Sequence, residues 1–231
     1  EVSLVIPIFN EEKNILNLYQ EIVKFIKDYN YELIFVNDNS SDQSKFIIHE
    51  IQTKNSLVKC INHEKNLGQS CAIYSGINAA QYNTIITLDG DGQNNPADIP
   101  NLLKNFFYKN DVSLISGIRY NRKDNFIKII SSKIANKVRS YILNDKCSDT
   151  GCSLKVFDKS KFLEFPFFDG IHRFMPALFN GYGHKVLFIN VDHRSRISGE
   201  SKYGIINRLF KGIFDLIKVR NIIKTYEKKN N

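Results

Sequence analysis

Short apolar runs alternate with longer amphipathic stretches along the first half of the chain. Buried strands are predicted for five runs, at residues 2–8, 32–36, 57–61, 84–88 and 112–116. Between them, apolar residues recur at helical spacing and predict helices over residues 11–28, 41–52, 68–80 and 97–107. Asn10 is the predicted N-cap of the first helix. This alternation predicts an α/β domain with a mostly parallel sheet and helices on both faces.

The second half is less regular. A helix is predicted for residues 126–143, strands for 152–157 and 185–191, and a polar basic loop for 192–203. A basic amphipathic helix from Gly204 to Tyr226 closes the chain. No linker separates two domains, so we expect one domain over residues 1–203 and an appended helix and tail over 204–231.

Composition and charge narrow the class of protein. Of 231 residues, 42% are hydrophobic and 12% aromatic, which supplies a core and excludes a wholly disordered chain. Residues 1–110 hold nine lysines and thirteen acids, a net of −4, whereas residues 111–231 carry a net of +12. The basic half predicts an anionic partner, which is nucleic acid, a phosphate ester or a membrane surface. The alternative is a genome-wide bias toward lysine.

The cysteines and the apolar stretches bear on location. Cys60, Cys71, Cys147 and Cys152 form no CxxC pair and are interpreted as reduced thiols of a cytoplasmic protein. No stretch approaches the roughly 18 apolar residues of a membrane span, and no signal peptide is recognised.

Polar residues follow the predicted strands at their carboxyl ends, where ligands bind in such sheets. Asp89 and Asp91 follow the fourth strand with a glycine between them, and both can face one Mg²⁺, which prefers oxygen ligands. The alternative is a plain Asp-Gly turn. Asp38 follows the second strand and can accept hydrogen bonds from a nucleobase or ribose, or cap the next helix.

Two familiar phosphate-binding loops are absent, GxxxxGK[ST] and GxGxxG. If a nucleoside diphosphate binds, its charge must therefore be met by a metal and by basic side chains. The loop at residues 194–203 offers three cations, and guanidinium groups suit bidentate contact with phosphate. The alternative is a solvated charged loop.

Six motifs in order resemble family 2 glycosyltransferases, and more narrowly the polyprenyl-phosphate glycosyltransferases, to which dolichol-phosphate mannose synthase belongs. The motifs are Pro7-Ile8-Phe9-Asn10-Glu11-Glu12, the segment 36–42 (VNDNSSD), the segment 66–70 (NLGQS), Asp89-Gly90-Asp91-Gly92-Gln93, Asp149-Thr150-Gly151, and Arg196 with the segment 199–203 (GESKY). The resemblance covers nearly the whole chain. Asn37, where the family often has Asp, and Gly90, where Ala is commoner, depart from the pattern; the second departure is expected to be benign.

The resemblance implies a GT-A fold and inverting transfer of a sugar from a nucleoside-diphosphate sugar to a lipid phosphate. It implies Mg²⁺ or Mn²⁺ as cofactor, with Asp89, Asp91 and Gln93 as its ligands. It implies catalytic roles for Asp89, Asp91, Arg119 and Arg196. The implied nucleotide-sugar site comprises Pro7, Phe9, Asn10, Glu11, Asp38, Gln69, Asp89, Gly90, Asp91, Arg196 and Lys202. The implied acceptor-phosphate site comprises Arg119, Lys128, Ser132 and Lys133.

The chemistry needs no general base. A phosphate monoester has a second pKa near 6, so the acceptor is already a dianionic nucleophile at neutral pH. The sequence indicates no His–carboxylate pair to act as a base. What the reaction requires is a metal at the departing diphosphate and cations that position the lipid phosphate.

Partner and location remain expectations. Mannose from GDP-mannose is the default donor, with a UDP-sugar as the alternative. The basic C-terminal helix predicts a peripheral location at the inner, cytoplasmic face of an anionic membrane; the alternative is a helix packed on the core. A membrane partner subunit and a homo-oligomer stay open. Competing functions are transfer to a cell-surface glycan or lipid A-type acceptor, and a nucleic-acid-binding module, which the lack of a known binding motif disfavours.

Overall fold

The computed structural model describes residues 1–109, 111–120, 136–195 and 205–230. In this part of the chain seven strands form one sheet in the order β3-β2-β1-β4-β6-β5-β7. Only β6 runs antiparallel to its neighbours β4 and β5, so the predicted mostly parallel sheet is confirmed. The strands are β1 (Val2–Ile8), β2 (Tyr31–Asn37), β3 (Val58–Asn62), β4 (Thr84–Thr87), β5 (Val112–Arg119), β6 (Lys155–Asp158) and β7 (Lys185–Val191).

Helices cover both faces of the sheet, as the alternating pattern predicts. The helices are α1 (Ile15–Ile26), α2 (Ser44–Lys54), α3 (Gln69–Ala79), α4 (Ile99–Tyr108), α5 (136–143), α6 (Lys159–Phe162), α7 (Ile171–Gly181) and α8 (Ile205–Asn230). Side chains of α1, α2 and α4 join one apolar core, and those of α3, α7 and α8 join the other. Helix α3 lies very close to the sheet, because a Cβ on Gly76 would stand 2.4 Å from Val5 Cγ1.

The structure moves the start of the first helix. Helix α1 begins at Ile15 rather than Glu11, so Asn10 is not its N-cap. Asn10 instead takes a left-handed φ of 55°, and its side-chain oxygen accepts the N–H of Ser41 across the loop. The polar residues 10–12 therefore join two loops rather than start a helix.

Two helices were not predicted, α6 and α7. In α7 the segment 174–179 (FMPALF) is an unbroken run of buried residues, and the polar face is formed only by His172, Arg173 and Asn180 near the two ends of the helix. Pro176 lies inside this helix and removes one backbone donor, which argues against a helix in sequence terms. Elsewhere the strand predicted from Cys152 begins at Lys155, β5 continues to Arg119, and α8 continues to Asn230. Residues 126–135 of the predicted long helix lie outside the described residues, and residues 136–143 are helical as expected.

Candidate active site

Four strands deliver polar side chains to one edge of the sheet. Strands β1, β2 and β4 are mutually parallel, and β5 shares their direction because both β4 and β5 are antiparallel to β6. Their carboxyl ends carry Asn10, Asp38, Asp89 and Arg119 respectively. The structure thus gathers residues that are far apart in sequence at the edge where ligands bind in sheets of this kind.

The acidic pair at the end of β4 is held in place by neutral groups. Gln69 Nε2 donates to Asp89 Oδ1 at 2.7 Å, and the Asp89 backbone N–H donates to Ser153 Oγ at 3.1 Å. Asp91 is 8% exposed and accepts the backbone N–H of Gln93 at 3.1 Å. Burial, followed by the nearby charge of Asp91, raises the pKa of Asp89 to about 6. Two carboxylates are therefore brought close together here.

This arrangement fits a divalent cation. Among the described residues, no group of three or more His, Cys, Asp or Glu side chains is arranged to hold a metal ion by itself. Two carboxylates with an amide oxygen from Gln93 instead match Mg²⁺ or Mn²⁺, which take one or two carboxylates and complete their shell with water and substrate phosphate. A cation would also relieve the repulsion that raises the pKa of Asp89.

Arg119 faces the same small cavity as Asp89. Asp89, Gln93 and Arg119 line it together with Asn94, Gly151, Ser153 and His193. Asp149 holds the guanidinium with two oxygens, at 2.8 Å from Nε and 2.7 Å from Nη2. Gly151 permits this position, because a Cβ there would stand 2.5 Å from Nη2. A group suited to phosphate thus lies beside a group suited to a cation.

Gly90 lies close to β1. A Cβ at this position would stand 2.5 Å from Ile8 Cδ1 and 3.0 Å from the carbonyl oxygen of Pro7. An alanine here would displace the flexible end of the Ile8 side chain, and the expectation that Gly90 is a benign replacement stays a prediction. Through this contact Pro7 and the acidic segment 89–93 fix each other's position.

Asp38 has a different immediate role from the one expected. Its carboxylate accepts the backbone N–H groups of Leu67 and Gly68, each at 2.8 Å, and lies 2.7 Å from His63 Nδ1. The structure therefore contains a His–carboxylate pair that the sequence did not indicate. The pair is buried and fixes the loop that leads to Gln69, whereas Asp42 accepts the N–H of Ser44 at the start of α2.

Hydrogen bonds join the loop after β1 to the loop after β2. Besides the bond from Ser41 to Asn10, the Asn10 N–H donates to Ser40 Oγ and the Glu11 N–H donates to Ser44 Oγ. The Glu11 carboxylate accepts from Asn14 Nδ2 at 2.7 Å. The segment 7–11 is thereby a rigid wall beside the acidic pair.

Comparison with known proteins agrees with this geometry. Residues 3–165 match the family described as glycosyl transferase family 2. The chain belongs to this family. Dodecaprenyl-phosphate galacturonate synthase of Rhizobium johnstonii is 36% identical over 225 residues, which are 95% of this chain and 66% of that protein. Undecaprenyl-phosphate 4-deoxy-4-formamido-L-arabinose transferase of Edwardsiella ictaluri is 32% identical over 94% of this chain and 66% of that protein.

The chain spans just under two thirds of the length of these family 2 relatives. Among solved structures, glucosyl-3-phosphoglycerate synthase of Mycobacterium tuberculosis in complex with Mn²⁺, uridine diphosphate and phosphoglyceric acid superposes with a TM-score of 0.70. The two chains are 15% identical, and the match covers 94% of this chain and 76% of that one. The predicted GT-A fold is thereby confirmed.

Five predicted residues of the family 2 site lie outside the described residues: Lys128, Ser132, Lys133, Arg196 and Lys202. The start of the basic loop is described. There the Arg194 N–H donates to the Gln93 carbonyl at 2.9 Å, and the guanidinium reaches Glu21 and Asn95. The basic loop thus departs directly from the acidic segment.

Sequence reasoning missed several residues that build the cavity. Asn94 and Ser153 are bonded to each other at 2.6 Å and both support Asp89, yet neither carries a distinctive motif. Asp149 lies in a recognised motif, Asp149-Thr150-Gly151, and this motif was the one signal that pointed to it. Its pairing with Arg119 could not be inferred, because the pairing depends on the antiparallel insertion of β6.

Proposed function

We propose that this chain is the catalytic part of a polyprenyl-phosphate glycosyltransferase that transfers a sugar from a nucleoside-diphosphate sugar to a lipid phosphate. The observation that carries the proposal is the shared cavity of Asp89, Gln93 and Arg119. It sets a cation-binding carboxylate and a phosphate-binding guanidinium side by side. The names of both curated relatives, each with a polyprenyl phosphate as acceptor, support it.

The proposed roles follow from charge. A cation held by Asp89, Asp91 and Gln93 supplies Lewis-acid stabilisation of the departing diphosphate. Arg119, aimed by Asp149, orients the acceptor phosphate for attack, and no base is needed because that phosphate is already ionised. The buried Asp38–His63 pair therefore acts in structure, by fixing the loop before Gln69, rather than in proton transfer.

The remaining assignments extend this picture. Pro7, Phe9, Asn10 and Glu11 form the wall of the nucleotide site, and Asp38 shapes its far side through the loop 63–68. Arg196 and Lys202 bind the donor diphosphate, since their loop leaves from beside Gln93. Lys128, Ser132 and Lys133 join Arg119 at the acceptor phosphate.

We propose a UDP-linked sugar as the donor, with galacturonate or a 4-amino-arabinose derivative ahead of mannose. The relatives described above name galacturonate and 4-deoxy-4-formamido-L-arabinose, and the M. tuberculosis structure holds uridine diphosphate. A screen of the corresponding UDP-sugars and GDP-mannose against undecaprenyl phosphate, with Mn²⁺ or Mg²⁺, identifies the donor by mass spectrometry of the lipid product. Product with GDP-mannose alone would reverse this order.

The acceptor assignment is tested by Arg119→Ala. We expect lipid-linked product to fall by about a hundredfold, or roughly 2.7 kcal/mol, because the phosphate loses its guanidinium partner. Affinity for UDP and Mn²⁺, measured by calorimetry, should stay within about threefold because that site is carried by other residues. Arg119→Lys keeps the charge but not the fork, so it should recover only part of the activity. A loss of UDP affinity in Arg119→Ala would refute the assignment.

We further propose that residues 204–231 form an appended helix that holds the chain at the cytoplasmic face of a membrane. One face of α8 packs on α7 through Val219 and Ile223. Its outer face exposes Ile213, Phe214 and Ile217 beside Lys218 and Arg220. Within the described residues no helix is both long and apolar enough to cross a bilayer.

Vesicle sedimentation tests this surface. The chain should bind vesicles that contain phosphatidylglycerol and bind pure phosphatidylcholine poorly, because basic side chains add attraction to anionic lipid. Phe214→Glu should reduce binding, whereas Phe46→Glu should not; Phe46 lies on α2 and is 59% exposed, against 71% for Phe214. Equal loss in both variants would exclude α8 as the membrane contact.

A further inference from the structure

A lysine lies in the middle of the sheet, directly beneath the candidate active site. Lys155 is the first residue of β6 and is 2% exposed. In the antiparallel register it stands opposite Thr87 of β4 and Ser116 of β5, which are 3% and 0% exposed. Three polar side chains thus form a buried row across the three strands that carry the acidic pair, Lys155 and Arg119. Burying such groups costs free energy unless they are hydrogen-bonded.

Two members of the row are bonded to one segment of chain, whereas Ser116 Oγ has no hydrogen-bond partner among the described residues. The Lys155 ammonium donates to the carbonyl oxygen of Cys152, and Thr87 Oγ1 donates to the carbonyl oxygen of Ser153 at 2.8 Å. Both bonds fasten the backbone of residues 149–153, which we call the bridging segment. It enters the sheet between the ends of β4 and β5.

The bridging segment supports both halves of the cavity. At one end Asp149 grips the Arg119 guanidinium and also accepts the Arg119 backbone N–H at 3.1 Å. At the other end Ser153 Oγ accepts the Asp89 N–H. A displacement of this segment would therefore shift Arg119 relative to Asp89.

Titratable groups surround Lys155. Burial lowers the pKa of Lys155, and Cys152, Cys147, Asp89 and Asp149 act in the opposite direction without outweighing it. Cys147 and Cys152 lie close by, and burial raises the pKa of both thiols, that of Cys152 to about 11. The thiols are therefore neutral, and the two aspartates are the negative groups that this lysine faces.

Resting on the proposed function, we propose that Lys155 is a positioning residue whose ammonium holds the bridging segment so that Arg119 and Asp89 keep their places in the shared cavity. It does not reach the substrate, because it is buried within the sheet. Its effect passes through Asp149 to the acceptor phosphate, whereas Asp89 keeps its bonds to Gln69 and Asn94, which lie outside the bridging segment. The acceptor side of the reaction should therefore depend on Lys155 more than donor binding does.

The test compares Lys155→Met with Lys159→Met. Lys159 makes the same kind of bond, from Nζ to the carbonyl oxygens of Asn78 and Ala80, at the opposite edge of the sheet. Lys155→Met should lower kcat/KM for undecaprenyl phosphate by at least about tenfold and leave UDP affinity within about threefold. Lys155→Arg should restore most of the activity, and Lys159→Met should leave both quantities near wild type.

Hydrogen exchange gives a readout that needs no turnover. In Lys155→Met, amides of residues 147–154 should exchange at least about tenfold faster, while those of α3 stay unchanged. Unchanged exchange in this peptide overturns the proposal whatever the activity. If Lys155→Met exchanges faster but the wild-type protein makes no lipid-linked product with any donor, the positioning role is supported and the proposed function is refuted.

A second pair of variants covers failure of Lys155→Met to fold. Lys155→Gln keeps a hydrogen-bond donor without the charge, and Lys155→Arg keeps both. The proposal expects the glutamine variant to fall below the arginine variant in kcat/KM for the acceptor and to exchange faster at residues 147–154. Equal kcat/KM for the acceptor and equal exchange at residues 147–154 in the two variants would overturn the proposal.

Discussion

The pKa of a buried carboxylate is shifted in opposite directions at the two ends of the parallel strands. We call these ends the amino edge and the carboxyl edge of the sheet. At the amino edge, Glu32 is 4% exposed and accepts hydrogen bonds from Ser3 Oγ, Lys59 Nζ and the Gln81 N–H, at 2.6, 2.6 and 2.5 Å. Burial alone would raise the pKa of Glu32, but these donors outweigh it and the pKa is lowered. At the carboxyl edge, burial and Asp91 prevail and raise the pKa of Asp89 to about 6.

The difference separates structure from function. Glu32 has its own lysine and its own donors, so its charge is balanced inside the chain and ties β1, β2 and β3 together. Asp89 and Asp91 stand one residue apart, and burial and then the charge of Asp91 raise the pKa of Asp89 more than Ser153, Lys155 and Arg119 lower it. A carboxyl pKa raised in this way is common at functional sites.

The largest expected effect comes from Asp91→Asn. Removal of one carboxylate should lower transfer activity by about a thousandfold or more, roughly 4 kcal/mol, because the cation loses a charged ligand. In the presence of a chelator the unfolding temperature should not fall, since like-charge repulsion with Asp89 is removed. A large loss of thermal stability in the metal-free variant would show that Asp91 serves the fold in the way that Glu32 does.

Glu32→Gln should show the reverse pattern. We expect unfolding free energy to fall by about 2 kcal/mol, because buried donors lose a charged acceptor, while kcat stays within about twofold. Glu50→Gln is the matched control, because Glu50 makes only an exposed ion pair with Lys54 and should cost little. Chemical denaturation and initial-rate assays measure both quantities. Loss of activity with intact stability would break the comparison.

Much of the candidate site at the carboxyl edge was predictable, because several of its residues follow a strand directly in the sequence. The acidic segment follows a strand directly, so Asp89 and Asp91 are placed by the strand alone. Arg119 was placed correctly at the end of its strand for the same reason. By contrast, the amino-edge cluster joins Ser3, Glu32 and Lys59 from three strands, and only the register of pairing brings them together.

The same limit explains why the roles of Lys155 and Asp149 were missed. Both depend on the antiparallel direction of β6, and the sequence of a four-residue strand does not show its direction. Helix α7 escaped prediction because it is short and because Pro176 argues against a helix. Strand direction and all-round burial are properties of the assembled sheet, so single segments do not reveal them.

Gly151→Ala sharpens the comparison within the catalytic edge. The added Cβ would collide with Arg119 Nη2, so kcat/KM for the lipid acceptor should fall by about tenfold, near 1.4 kcal/mol, with little change in UDP affinity. Gly212→Ala serves as control, because nothing lies within 4 Å of a Cβ at that helical position. Equal kinetics in the two variants would mean that the acceptor does not use the observed position of Arg119.

The smallest effect is a pH dependence of stability. Because the pKa of folded Glu32 lies below its ordinary value of 4.5, its ionised form stabilises the fold above that pH. This contribution should be lost as pH falls through the lowered pKa, so the unfolding free energy of wild type should decrease more steeply below about pH 4.5 than that of Glu32→Gln. If unfolding free energy depends on pH in the same way in both proteins, ionised Glu32 does not stabilise the amino edge.

The antiparallel direction of β6 has a consequence for chain connectivity. The chain leaves the sheet after Arg119 at the carboxyl edge and, because β6 runs antiparallel to β5, re-enters through residues 152–154 at that same edge. Both points of attachment of the intervening stretch therefore lie at the edge that carries Asp89. Replacement of that stretch by the corresponding residues of a relative should leave the pairing of the seven strands intact.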